Sequence, residues 1–159
     1  MAKIVQEELQ KLLDAQFIYE IKHSEWVSPI VCVPKKNRKT RVCVHYKKLK
    51  VFMVKDHFPL TFTESVLERV GGQEIYSLLD DFSGYNQVQI HHDDQHKTTF
   101  ATEWGTYDYK VVPFGLTNAP STFQRLMCHA FKDFLRKFLE IFMDDLCVYS
   151  TKSEHIECL

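Results

Sequence analysis

Residues 138–149 read Phe-Leu-Glu-Ile-Phe-Met-Asp-Asp-Leu-Cys-Val-Tyr, two apolar runs separated by adjacent carboxylates. The runs are strand-like and Asp favours turns, so the segment reads as two strands joined at Asp144-Asp145. Consecutive aspartates at a tight turn repel each other. They become favourable beside a divalent cation, because hard cations take carboxylate oxygens. On this segment alone, a plain turn and a metal-binding turn stand as equal alternatives. A second pair, Asp80-Asp81, follows the apolar Leu78-Leu79 at the end of another strand candidate. Two such strand ends on one antiparallel sheet can converge on two Mg²⁺ ions. Metals roughly 3.5–4 Å apart stabilise the attacking and leaving oxygens of a phosphoryl displacement.

Charge distribution adds a third feature. Residues 35–50 hold eight of the twenty basic residues and no acid. The run is either a solvated basic face or a surface for nucleic-acid or triphosphate phosphates. The formal net charge of −1 carries no information about partners, so only this distribution does. At 159 residues, with 45% hydrophobic and 13% aromatic residues, the chain has apolar payload enough for a core and is not a disordered polymer. Cys32, Cys43, Cys128, Cys147 and Cys158 are odd in number and contain no C-x-x-C. That argues against a disulfide framework or zinc ribbon and fits small core residues in a reducing, intracellular compartment. No run approaches the ~18 apolar residues of a membrane span, and the N-terminus lacks the form of a signal peptide.

The periodicity predicts a helix over 2–15 with Ile4, Val5, Leu9, Leu12 and Leu13 on one face. Ser28–Val33 and Thr40–Tyr46 read as a hairpin with a basic tip. Thr61 with Glu64 has capping-box spacing, predicting a helix over 62–70 that stops at Gly71-Gly72. Strands are expected at 74–81, buried at Ile75, Leu78 and Leu79, and at 88–91, 97–103 and 106–112, with Gly105 as a hairpin turn. Asn118-Ala119-Pro120 starts a helix over 119–137 whose Phe123, Phe131 and Phe134 stripe reads as core. Ser153 would cap a further helix, for which too little chain follows. His91, His92 and His96 with Asp93 and Asp94 read as a solvated turn rather than a metal cluster. Hairpins mixed with helices imply an α+β fold, helices packed on an antiparallel sheet.

Several segments together resemble reverse transcriptases. Phe142-Met143-Asp144-Asp145 matches the Y/F-x-D-D box, and residues 78–87 (LLDDFSGYNQ) look like the LD-x-x-SGY-x-Q box of LTR retrotransposons. Residues 55–60 (KDHFPL), 97–100 (KTTF) and 112–127 (VPFGLTNAPSTFQRLM) are similar to the same enzymes in order and spacing. The resemblance is to the Ty3/Gypsy class, with a plant flavour in DHFPL and FMDD, and it covers the whole chain.

That resemblance implies a right-hand polymerase: fingers at 1–55 and 88–118, palm at 56–87 and 119–159, thumb absent. It implies that Asp80 and Asp144 ligate two Mg²⁺ ions (Mn²⁺ can substitute), with Asp145 as third carboxylate and Asp81 offering its backbone carbonyl. Tyr85 would lie under the deoxyribose as a steric gate, and Phe114 and Gly115 would line the incoming nucleotide and template base. Arg41, with Lys35 or Lys36, would hold the triphosphate. Implied partners are an RNA or DNA template-primer and dNTPs, together with the thumb and RNase H regions of a longer polyprotein. The implied location is a cytoplasmic virus-like particle or the nucleus. His45 stands where the family usually has Asp, Lys47 where Arg is common, Lys50 where Asn is common, and Asp81 where Gly or an apolar residue is usual. Besides RNA-directed DNA polymerisation, two readings remain: a non-catalytic remnant that binds nucleic acid or protein, and another two-metal nuclease or cyclase. The 113–120 run (PFGLTNAP) disfavours the last.

Overall fold

The computed structural model describes residues 2–34, 40–80 and 84–159. In chain order the elements are α1 (Ala2–Asp14), β1 (Ile18–Ile21), β2 (Ser28–Pro34), β3 (Thr40–Val44), α2 (Lys47–Phe52), α3 (Thr63–Val70), β4 (Ile75–Asp80), α4 (His92–Gln95), β5 (Phe100–Thr102), β6 (Gly105–Tyr109), α5 (Ala119–Ala130), β7 (Leu139–Phe142), β8 (Asp145–Ser150) and α6 (His155–Cys158). Two short 3-10 turns occupy Gly84–Gln87 and His96–Thr98. The chain divides into one unit of Met1–Val54 with Tyr85–Ala119 and a second of Lys55–Gly84 with Pro120–Leu159.

The first unit is built on a five-stranded sheet in the order β1-β6-β5-β2-β3. Only β2 and β5 run parallel, through Ser28–Phe100 and Pro29–Ala101; the other pairs are antiparallel. Leu9 of α1, Ile18, Val44, Tyr46, Leu49 and the ring cluster Phe100, Tyr107 and Tyr109 form its core. Tyr46 is buried, and its hydroxyl donates to the Thr98 carbonyl at 3.1 Å. Burial pushes its phenol far above the ordinary value. Buried Asp108 accepts from Thr99 Oγ1 at 2.6 Å, so its carboxylate is not left orphaned.

The second unit carries a three-stranded antiparallel sheet in the order β4-β8-β7. Paired residues share a face. One face presents Glu140, Phe142, Cys147 and Tyr149, and Val66 and Val70 of α3 pack on it. Arg69 Nε lies 2.9 Å from buried Glu140 Oε1, too poorly angled to make a hydrogen bond. On the other face His155 of α6 bridges two strands, with Nε2 2.8 Å from Ser77 Oγ and Nδ1 2.7 Å from Ser150 Oγ. Arg125 of α5 grips both oxygens of Asp56 at 2.7 and 2.6 Å.

The Phe58 backbone N–H, and then Arg125, hold the Asp56 carboxyl below its ordinary value of 3.8. A depressed carboxyl adds stability above the unfolded value and loses it as pH falls through the folded one. Asp56→Asn should therefore flatten the drop in thermal midpoint between pH 5 and pH 3, windows set by that lowered pKa. An identical drop in both proteins would show that the pair contributes nothing.

Several expectations are corrected. Leu78 is 77% exposed and Leu79 is exposed too, because α3 packs over Phe142, Cys147 and Tyr149 of β7 and β8 rather than over β4. Residues 88–91 form no strand; Gln89 makes only an isolated bridge with Val111, hemmed between the 3-10 turn and α4. The Thr61–Glu64 box does not form. Phe62 is the N-cap, without a side-chain cap bond, and Thr61 falls one residue too early to reach the N3 amide. Helix α3 rests instead on Val66 and Val70. Helix α5 ends at Ala130, not 137; the chain then tightens through Arg136 at φ 63 to enter β7, leaving Phe134 exposed beside Phe138. The 102–105 turn is made by Glu103 and Trp104, with Gly105 opening β6. A one-turn α6 does form, capped at Glu154 instead of Ser153. Short β1 and α2 were not foreseen.

Candidate metal and nucleotide sites

Phe142 pairs with Asp145, so the two-residue turn of the β7–β8 hairpin is Met143-Asp144 and not Asp144-Asp145. Such turns need left-handed residues, and Met143 takes φ 56. Gln124 of α5, 1% exposed, spans this turn. Its Oε1 accepts from the Met143 N–H at 2.8 Å, and its Nε2 donates to the Ile141 carbonyl at 3.3 Å. The sequence reading passed over Gln124. Its signal was a polar residue at helical spacing inside the stripe that begins at Phe123, where a buried amide must find partners.

The register places Asp80 directly across from Asp145, and Phe142 on the far side of Asp145 in the same row. Asp144 adjoins this row from the turn. Asp80 and Asp145 are exposed and Asp144 is half-buried. No ion pair among the described residues involves these three carboxylates. Like charges directly opposite on paired strands destabilise a sheet. An all-carboxylate donor set fits a hard cation such as Mg²⁺ or Mn²⁺. The side chains are not gathered about one point: among the described residues no three His, Cys, Asp or Glu form a group that could hold a metal ion. Asp81 lies outside the described residues, as do Lys35, Lys36 and the expected basic tip.

In the first unit, four residues named for nucleotide contact come together. The Arg41 guanidinium carbon stands 5.3 Å from the centre of the Phe114 ring, and Tyr85 meets that ring edge-on at 5.0 Å. Gly115 has φ 100, and a Cβ there would come 3.1 Å from the Val44 carbonyl, three residues along β3 from Arg41. Only glycine accepts both constraints. Arg41 and Phe114 are exposed while Tyr85 is buried.

Next to α2 the first unit also has a groove of about 480 Å³, lined by Val27, Pro29, His45, Lys47, Val51 and Phe52 among others. His91, His92 and His96 sit around α4, where Lys97 pairs with Asp94 at 2.6 Å. All five cysteines are half-buried and none is in a disulfide.

The family described as reverse transcriptase (RNA-dependent DNA polymerase) matches residues 33–159. The chain is 32% identical over 161 residues to the retrovirus-related Pol polyprotein from transposon 297 of Drosophila melanogaster, covering 98% of this chain and 15% of that protein. It is 37% identical over 123 residues to an RNA-directed DNA polymerase homolog of Oenothera berteroana, covering 75% and 87%. Against the Tf2-3 polyprotein of Schizosaccharomyces pombe the identity is 31% over 130 residues, covering 81% and 10%. The chain thus spans 15% or less of these polyprotein relatives. The crystal structure of the prototype foamy virus protease–reverse transcriptase aligns with TM-score 0.86 at 20% identity, over 98% of this chain and 21% of that one. A foamy viral protease–reverse transcriptase in complex with double-stranded DNA aligns with TM-score 0.89 at 22% identity, over 98% and 27%. At these identities the likeness is one of fold. Among the described residues no helix is long and apolar enough to cross a membrane.

Proposed function

The chain belongs to the reverse transcriptase family, and on that premise we propose that it is the fingers and palm of an RNA-directed DNA polymerase from a Ty3/Gypsy-type retrotransposon polyprotein. The observation that carries this reading is the row of carboxylates in the second unit, Asp80 across from Asp145 with Asp144 in the adjoining turn. The unit borders at Val54, Gly84 and Ala119 support assigning the first unit to the fingers and the second to the palm.

Asp80, Asp144 and Asp145 would hold two Mg²⁺ ions, with the Asp81 carbonyl as a further ligand. Bound there, such ions lower the pKa of a primer 3′-hydroxyl and offset the charge developing on pyrophosphate. Arg41 would grip the dNTP triphosphate through its planar fork, with Lys35 or Lys36 as point charges. Fixing the triphosphate in line with the primer end contributes entropically, up to several kcal/mol. Tyr85, packed on Phe114, would present a wall to the sugar and exclude a 2′-hydroxyl. Gly115 would let the backbone approach the base pair. The template-primer, RNA or DNA, would lie against basic surface whose contacts weaken with salt. Five cysteines without a disulfide among them support a reducing compartment, cytoplasmic or nuclear.

The test is primer extension on poly(A)/oligo(dT) with Mg²⁺, run on this chain and on a longer polypeptide that contains it. Incorporation of dTMP by the longer protein is expected; incorporation by neither would sink the reading. In whichever protein is active, Tyr85→Ala should raise ribonucleotide incorporation by about 10–100-fold, the scale on which one steric contact discriminates. Unchanged sugar discrimination would remove Tyr85 from the gate.

A further inference from the structure

We propose that Gln124 is a positioning residue that aims Asp144 by holding the backbone of Met143; the proposal rests on the reading of Asp80, Asp144 and Asp145 as metal ligands. Three observations carry it. Met143 adopts φ 56 although it has a Cβ, a conformation that persists only where the surroundings over-determine it. Gln124 is buried, and both halves of its amide reach the turn: Oε1 accepts from the Met143 N–H, and Nε2 donates to the Ile141 carbonyl as well as to Cys128 Sγ. The residue that follows Met143 is Asp144, the one carboxylate of the three without a ladder partner among the described residues.

Asp80 and Asp145 are held by the β4–β8 ladder. Among the described residues Asp144 has no ladder partner, so the backbone of Met143 sets where its carboxylate points. The Phe142–Met143 peptide, from which that backbone continues, is pinned by the hydrogen bond from Met143 N–H to Gln124. Without it, Met143 can relax to negative φ, the peptide rotates, and the Asp144 carboxylate leaves the row. Gln124 thereby acts from α5 on a ligand it does not touch. The acceptor half of the amide carries this role; the donor half, to Ile141, anchors the side chain.

The halves can be separated. Gln124→Met keeps volume and loses both bonds, whereas Gln124→Glu keeps the acceptor and loses the donor. Mn²⁺ is the probe, its free fraction read by electron paramagnetic resonance on the 159-residue chain. Amide exchange of Met143 is followed by NMR in the same samples. Q124M should weaken Mn²⁺ binding about tenfold, the low end for losing a residue that orients a metal ligand, and Q124E should stay within about twofold of wild type. The Met143 amide should exchange faster in Q124M and remain protected in Q124E. A Mn²⁺ affinity or a Met143 exchange rate unchanged in Q124M would overturn the proposal, as would a Q124E protein as weak as Q124M. If Q124M does not fold, Q124E together with Met143→Gly decides. Glycine takes positive φ without a brace, so a Q124E/M143G protein that binds less tightly than Q124E overturns the mechanism. A wild-type chain that binds no Mn²⁺, or an Asp144→Asn chain that binds it equally, overturns the metal reading and the role of Gln124 in it. Faster Met143 exchange in Q124M would then locate the error in the metal reading rather than in the brace.

Discussion

Asp144→Asn should reduce dTMP incorporation by about 10³-fold or more, equivalent to about 4 kcal/mol of transition-state stabilisation. The substitution keeps volume and hydrogen-bonding capacity at a half-buried turn position and removes only the charge. It also relieves repulsion within a row where Asp80 and Asp145 already face each other. The thermal midpoint should therefore hold or rise while activity is lost. That opposition of signs separates a ligand from a structural residue. Asp133→Asn, on the exposed turn after α5, is the control and should leave the rate unchanged. A D144N protein with more than about a tenth of wild-type rate would exclude Asp144 from metal binding, since losing a ligand to a two-metal centre costs several kcal/mol.

Arg69→Ala should destabilise the second unit by about 3 kcal/mol, the low end of the cost of stranding a buried charge. Glu140 has a side chain only 5% exposed, and its Oε1 has no hydrogen-bond partner among the described residues besides the ion pair with Arg69. Arg69 itself is 33% exposed, so solvent screens part of the attraction and the upper end of the range is not expected. For a chain of this size the loss corresponds to a midpoint lower by about 6–12 °C. Replacing both residues, in Arg69→Met with Glu140→Met, should recover most of the stability, because an apolar pair of similar volume has no charge to desolvate. Calorimetry of the two variants beside the wild type checks this. A single mutant within about 1 kcal/mol of wild type would mean that water reaches Glu140.

Much of the site was legible in residues 78–87, 112–127 and 142–145, because carboxylates between apolar runs have few uses and these blocks occur together in one family. The sheet of the second unit was legible for a similar reason. Strands β7 and β8 are apolar runs of strand length with a polar break, and burial leaves them little choice but to pair. The amphipathic repeat of α1 buries Val5 and Leu9 as the periodicity demands, although Ile4 stays exposed.

What the chain alone did not reveal depends on partners distant in sequence. Leu78 and Leu79 read as buried because they are leucines in a strand. Their exposure follows from α3 packing on β7 and β8 rather than on β4, and what covers a strand is decided outside it. Local spacing suggested a capping box at Thr61, yet α3 is held by contacts to Phe142, Cys147 and Tyr149, seventy residues or more away. The turn at Met143-Asp144 was misplaced by one residue. Two aspartates look like turn residues, whereas the ladder pairs Asp145 with Phe142 across the turn and with Asp80, sixty-five positions earlier, on its other side. The sequence by itself determined the composition of the acidic row, the basic run and the apolar strands, because residue type and period decide what must be buried and what can bind. Only the tertiary structure decided which carboxylates face each other, that Arg41, Tyr85, Phe114 and Gly115 meet, and that Gln124 reaches the Met143 amide. Each of those is a long-range contact, fixed by cross-strand register and helix packing that no local pattern encodes.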